Sequence, residues 1–302
     1  MALSERSVRQ SFLGERSEEI LAAATVGVVG VCGGGSHVAQ QLAHIGVGRF
    51  VLLDDDFTDY CNLNRMVGSE PKHARRKKAK VSVAHQLISR INPRAIVQAE
   101  NGKWQDRHEL LRTCMAVFGC VDGFLTRDEL ERYCRRYLLP YIDVGMVVSP
   151  VGDHYSISGQ IVTSLPGYPC MRCMGFLTDS LIEEEVARYG AAGPRPQVIW
   201  PNGVLASTAV GIFMQMVTPW HKSPAPPLYL EYNGNSHSLA PSPLAEGAYD
   251  RDCSHFSGAG DFGDNPWIPY GGHRHWQFRP YSRRNSLTDC GPDGQRPTAW
   301  AG

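Results

Sequence analysis

The chain has 302 residues, with 30 basic and 30 acidic side chains and a formal net charge of zero. That balance excludes a general electrostatic grip on nucleic acid or on an anionic membrane. No apolar run approaches the ~20 residues of a membrane span. Hydrophobic residues make up 42% of the chain, enough for a sizeable core. The opening segment, "MALSERSVRQSFLGERSEEIL", has charges where a signal peptide needs an apolar stretch, so a cytoplasmic location is expected. Nine cysteines, in a chain read as lacking an export signal, imply reduced thiols and room for one metal site rather than a disulfide framework.

Taken in chain order, residues 1–24 form an N-terminal helical arm. "TVGVVGV" (25–31) and "RFVLLD" (49–54) are strand-like and flank the helical "SHVAQQLAHIG". A helical stretch follows at 72–91, strongly basic in its first half and apolar at helical spacing in its second. Three further strands, 95–100, 115–120 and 139–145, are separated by charged helical pieces at 106–113 and 126–137. Strands alternating with helices predict an α/β fold, with a Rossmann-like, mostly parallel sheet and helices on both faces. After Gly145 the rhythm changes: "DHYSISGQIVTSL" reads as an antiparallel strand extending the sheet in the C-terminal half. An acidic helix at 178–190, an apolar helix at 202–217 and a hairpin around Asn233–Gly234 follow. These elements define one domain at 25–240, and the Pro/Gly-rich tail, 241–302, is expected to be irregular.

Gly30, Gly33, Gly34 and Gly35 follow the first strand and open a helix. Glycines let a backbone approach phosphate closely, and the helix N-terminus offers unpaired N–H groups. Asp54 closes the second strand, placed for a ribose hydroxyl, with Asp55 and Asp56 behind it. This much indicates a nucleotide and leaves NAD open. Arg65 and Lys80, cations able to neutralise phosphate oxygens, and Asp122 at the fourth strand's carboxyl edge, able to hold Mg²⁺, favour a triphosphate.

The order of these residues resembles the ThiF/MoeB/HesA superfamily, adenylating enzymes that include the ubiquitin-activating enzymes. The resemblance covers roughly residues 1–240: the glycine loop, "DDD" at 54–56, "NLNRM" at 62–66, Lys80 ahead of "RINP", and Asp122 to Arg127. It implies ATP-dependent adenylation of the C-terminal glycine carboxylate of a ubiquitin-like or sulfur-carrier protein. By that resemblance Asp54 is the ribose ligand, and Asn62 and Arg65 contact the ATP phosphates; Asp56 is a helping carboxylate by its place beside Asp54. Lys80 is the catalytic lysine and Asp122 the Mg²⁺ ligand. "RSVRQ" (6–10) is similar to a family arm whose second arginine, here Arg9, enters the partner's site in a homodimer. A conjugating enzyme is a further partner the family allows.

Two departures from the family pattern are visible: Cys32 stands where the loop usually has its second glycine, and Met66 replaces a common glutamine. Cys170 and Cys173 form a knuckle suited to tetrahedral Zn²⁺, and relatives complete it near the C-terminus. Here "RDCSHF" would supply Cys253 and His255. Residues 174–205 contain no cysteine, which favours adenylation over thioester formation. Cys32 reads as a packed thiol, and His37, His44 and His85 as surface or packing residues. The alternatives are an NAD-dependent oxidoreductase on the same fold and a catalytically silent scaffold or binding partner.

Overall fold

The computed structural model of the chain describes residues 5–187, 196–222 and 226–248. Five strands, β1 (Thr25–Val29), β2 (Arg49–Leu53), β3 (Ile96–Glu100), β4 (Ala116–Gly119) and β5 (Tyr141–Val151), pair in parallel. Three more, β6 (His154–Ser164), β7 (Tyr229–Asn233) and β8 (Ser238–Pro241), extend the sheet in antiparallel fashion. The order across the sheet is β3-β2-β1-β4-β5-β6-β7-β8, the α/β arrangement expected from the alternation of elements. The seven helices among the described residues are α1 (Ser17–Ala23), α2 (Gly33–Ile45), α3 (Pro71–Arg75), α4 (Lys80–Ile91), α5 (Phe124–Arg136), α6 (Asp179–Ala187) and α7 (Ile199–Val217).

The central strands β1, β2 and β4 are apolar and buried on both faces because helices cover both. Val26, Val28, Phe50, Leu52, Phe118 and Ile142 point to one layer, where α2, α4 and α7 supply Leu42, Ile88 and Phe213. Their alternate neighbours Val29, Val51, Leu53, Val117 and Tyr141 point to the other. There they meet Leu130 of α5, Leu111 of the 3₁₀ segment Trp104–Thr113, and Met171 and Met174. This two-residue period assigns each strand residue to one layer or the other.

The structure departs from the sequence expectation at four places. The stretch 72–91 is two helices, broken by a turn in which Lys77 takes φ 46°. The first half forms only the short α3, burying His73 and Ala74, and the backbone after it pairs with the chain after β2: Thr58 N–H donates to the Lys78 carbonyl at 2.7 Å. The charged piece at 106–113 belongs to a 3₁₀ segment kinked at Arg107. β5 runs six residues past Gly145, forming a long hairpin with β6 that turns at Gly152, φ 61°. The chain beyond Leu239 stays regular for some residues, with β8 reaching Pro241 and a 3₁₀ turn at Pro243–Ala245. The rest of the expected tail, 249–302, lies outside the described residues.

Candidate nucleotide site

β1 ends in a glycine loop. Gly30 has φ 82°, and a Cβ there would fall on the Cys120 carbonyl after β4. Gly35 is packed against the Gly30 carbonyl, so loop and helix touch backbone to backbone. Cys32 holds an ordinary φ of −84°, which is how a side chain is tolerated in this loop. The N-cap residue Cys32 makes no side-chain cap to α2, so among the described residues the first-turn N–H groups and positive dipole end face the cleft side where an anion could sit.

Asp54, at the end of β2, is tied to the loop. One oxygen accepts from Val31 N–H at 2.8 Å and the other from Asp56 N–H at 2.9 Å. Burial pushes its carboxyl up from the ordinary value, opposed by the Lys80 charge and these two backbone donors. Lys80 opens α4, is buried, and its Nζ lies 2.6 Å from Asp56 Oδ2. Burial pulls the Lys80 ammonium down, but Asp54, Cys32 and Asp56 outweigh it and leave the pKa raised, so it is a cation. Asn62 is buried, its Oδ1 accepting from Asp59 N–H at 2.8 Å and capping a short 3₁₀ turn. That turn presents Arg65, whose guanidinium donates to the Cys61 carbonyl and to Asn64 Oδ1 at 3.1 Å, while its buried Nε has no partner among the described residues. Asp122 sits on the loop after β4, with Gln197 Nε2 3.5 Å from its Oδ1.

One cleft of about 530 Å³ brings these groups together. Gly30, Gly33, Asp54, Asp56, Asn62, Arg65, Lys80 and Asp122 all line it. Gly35 does not; its place is behind the loop. The cleft has further walls that the sequence reading missed. Gly102 to Gln105 follow β3, and Gln197 and Asn202 belong to the start of α7 and the residues before it. Arg127 and Gly145 form another part of the wall. The rule that ligands of such sheets bind at the strands' carboxyl ends pointed to the segment after β3. Nothing local in the sequence pointed to Asn202, which reaches Gly33 from another part of the chain.

Arg9 lies elsewhere. It is exposed in the 3₁₀ segment Val8–Leu13, and Arg6 before it donates to the carbonyls of Ala43 at 2.7 Å and His44 at 3.3 Å, at the C-terminal end of α2. The cleft is at the opposite end of that helix, roughly 20 Å away for its length. Cys170 and Cys173 are buried with sulfurs 3.5 Å apart, and the Cys173 N–H points at Cys170 Sγ at 3.4 Å. Cys253 and His255 lie outside the described residues, and among the described residues no group of three or more His, Cys, Asp or Glu is placed to hold a metal. Cys32, expected as a packed thiol, is half-buried and lines the cleft; burial pushes its thiol up, opposed by Lys80 and Arg65. No helix among the described residues is long and apolar enough to cross a membrane.

A mostly parallel sheet flanked by helices, with its cleft where the order reverses between β1 and β4, defines a doubly wound α/β protein whose cleft opens at the switch point. The particular family follows from comparison: the chain belongs to the ThiF family, whose model matches residues 4–254. It is 29% identical over 171 residues to the SAMP-activating enzyme E1 of Haloferax volcanii, covering 56% of this chain and 60% of that protein. It is 33% identical over 129 residues to the molybdopterin-synthase adenylyltransferase of Haemophilus influenzae, covering 41% of this chain and 51% of the relative. To the sulfur carrier protein ThiS adenylyltransferase of Escherichia coli it is 29% identical over 199 residues, 64% of this chain and 73% of the other. The chain thus spans about half to three-fifths of the first two relatives. Among solved structures, E. coli MccB with ATP superposes with a TM-score of 0.63 at 19% identity, over 80% of this chain and 73% of MccB, a likeness of fold.

Proposed function

We propose that this protein is an ATP-dependent adenylyltransferase acting on the C-terminal glycine carboxylate of a small ubiquitin-like or sulfur-carrier protein. The observation that carries the reading is the cleft lined together by the glycine loop, Lys80, Arg65 and Asp122 in a ThiF-family chain. An oxidoreductase has no need of two cations and a carboxylate converging where a triphosphate would lie. In the proposed reaction a carboxylate oxygen of the carrier attacks the α-phosphorus. The bond to the bridging oxygen breaks, and pyrophosphate leaves with its electron pair. A carboxylate is already a nucleophile, so no general base is required.

The chain's own residues position the phosphates and offset their charge. The N–H groups at the start of α2 face the phosphates, Asp54 and Asp56 hold the ribose, and Asn62 orients the turn from which Arg65 reaches the phosphates. Lys80, kept cationic by its carboxylate neighbours, offsets charge as pyrophosphate departs. A single carboxylate, Asp122, beside phosphate oxygens is a donor set that suits Mg²⁺, which when bound neutralises charge shared between phosphates.

Finer proposals accompany this one. Arg9 acts in the cleft of a partner copy in a homodimer, supported by its placement away from its own cleft. Cys170 and Cys173 are half of a zinc site completed by Cys253 and His255. The supporting geometry is their sulfur separation, since two thiolates about 2.3 Å from one tetrahedral zinc stand a little under 4 Å apart. The product is the acyl-adenylate, with no thioester on this chain. The location proposed is cytoplasmic, and a conjugating enzyme is a downstream partner of the same chemistry.

The test is ATP–pyrophosphate exchange with and without a small carrier protein ending in glycine. Exchange should require the carrier and Mg²⁺, and Asp122→Ala should abolish it with the cooperative unfolding transition retained. Exchange surviving within about threefold, under 1 kcal/mol of transition-state loss, overturns the assignment of Asp122. Reduction of a carbonyl substrate by NADH would replace the reading altogether.

A further inference from the structure

Beneath the cleft lies a polar cluster that the mechanism above does not use. Tyr141 and Asp143 are two residues apart on β5 and point to the same layer, towards α5. Both are completely buried. The Tyr141 hydroxyl donates to Asp143 Oδ2 at 2.9 Å, and Asp143 Oδ1 accepts from Arg127 Nη1. The other end of the same guanidinium, Nη2, donates to the Val121 carbonyl at 2.5 Å. Val121 is the residue before Asp122, and Arg127 N–H also closes onto the Gly123 carbonyl at 3.1 Å. Arg127 therefore grips the loop of Asp122 on both sides of that residue, and its guanidinium is itself bolted to the sheet through Asp143.

Space for this cluster is cleared by glycine on neighbouring backbone. A Cβ on Gly119 would collide with the Tyr141 hydroxyl, and one on Gly145 would collide with Arg127. Gln160 on β6 closes the far side. With its amide oriented to satisfy both ends, it donates to the Gly145 carbonyl at 3.2 Å and accepts from Arg127 Nη1 at 3.0 Å. Burial pushes the Asp143 carboxyl up, and Arg127 and the Tyr141 hydroxyl oppose it.

Burying an ion pair is a poor route to stability, because the desolvation of both charges roughly cancels their attraction and apolar residues of similar volume do as well. What the pair supplies here is direction. The planar guanidinium fixes two donors at once, one on the sheet and one on the loop, which an apolar contact cannot do.

We propose that Tyr141 and Asp143 are positioning residues for the metal-dependent step: through Arg127 they hold the loop that presents Asp122 to Mg²⁺-bound ATP. The inference rests on the adenylyltransferase reading and deepens it. Outer-layer partners that orient a metal ligand typically cost ten- to a hundredfold in metal affinity or activity when removed.

The experiment is calorimetric titration of the full chain with ATP, with and without Mg²⁺, for wild type, Asp143→Asn and Tyr141→Phe, alongside thermal unfolding. Wild type should bind ATP more tightly with Mg²⁺ than without it. Asp143→Asn should lose about tenfold or more of that gain, with metal-free affinity changed by no more than about threefold. Tyr141→Phe, which removes one hydroxyl and no charge, should lose a smaller part of the gain and still unfold cooperatively. If Asp143→Asn does not fold, Tyr141→Phe decides alone. Variants that keep the whole Mg²⁺ gain overturn the positioning role while leaving the adenylyltransferase reading in place. Equal loss of affinity with and without the metal assigns the cluster to general packing and also overturns the role. A wild-type chain that shows no Mg²⁺-dependent ATP binding overturns the reading and the inference together.

Discussion

Gly30 and Gly46 both sit at positive φ, 82° and 103°, yet they answer to different constraints. Gly46 ends α2 in the left-handed conformation, and a Cβ added there would meet nothing within 4 Å, so only the backbone preference matters. Gly30 adds a collision with the Cys120 carbonyl to its positive φ. Gly46→Ala should therefore cost about 1–2 kcal/mol, the ordinary penalty of a left-handed L-residue. Gly30→Ala should cost more, by about 1–3 kcal/mol of added overpacking, as β1 and β4 part at the loop. Urea unfolding midpoints of the two variants check this, and equal losses would mean the loop yields without strain. The same reasoning explains Cys32. At φ −84° it needs no glycine, so the departure from the glycine pattern is compatible with a loop of the expected shape.

At the scale of elements, the break between α3 and α4 has a functional consequence. Had the helix run on through 72–91, Lys80 would stand in mid-helix. The turn at Lys77 instead starts a new helix at Lys80, whose N–H donates to the Asp56 carbonyl at 3.1 Å. Ammonium and backbone thus both meet the acidic strand end.

On the opposite layer, α5 holds the cysteine knuckle from behind. Glu131 accepts from Met171 N–H at 2.7 Å, and Arg135 donates to the carbonyls of Leu165 and Tyr168. A knuckle anchored this firmly presents its two sulfurs at a defined separation, which is why the zinc proposal belongs to this element. Metal analysis of the purified chain should find about one Zn²⁺ per chain, lost in the Cys170→Ser/Cys173→Ser double variant. A well-folded preparation without metal would leave the two thiols as packing residues.

For the whole molecule, the decisive relation is between Arg9 and the cleft. Arg6 anchors the N-terminal arm at the C-terminal end of α2, while the cleft opens at the N-terminal end. A positive charge delivered by another copy would have most effect once the docked chain excludes water from the cleft. Co-expression of Arg9→Ala and Lys80→Ala chains with different tags tests it. If Arg9 acts in trans, the purified heterodimer has one site carrying both lesions and one carrying neither, and about half the wild-type activity should return. A heterodimer that stays inactive, while wild type paired with Lys80→Ala keeps about half, places Arg9 outside the partner's site. An active monomer removes the dimer from the account.

Strand and helix order, the glycine loop and the acidic strand end were legible in the sequence because they are local. A period of two or 3.6, a glycine after a strand and a carboxylate at its end are written in consecutive residues. The strand pattern also put Asp122 at the carboxyl edge of the sheet, while Arg65 and Lys80 were picked out by their charge and by the family resemblance. Tertiary structure decided what depends on contacts between distant segments. It set the break ahead of α4, where residues 57–58 compete for the backbone of 78–79, and it brought Asn202 to Gly33. It also revealed the cluster of Tyr141, Asp143 and Arg127, whose members come from a strand and a helix and leave no pattern along the chain. Buried polar groups must find partners wherever packing brings them. Only the assembled sheet determines which partners those are.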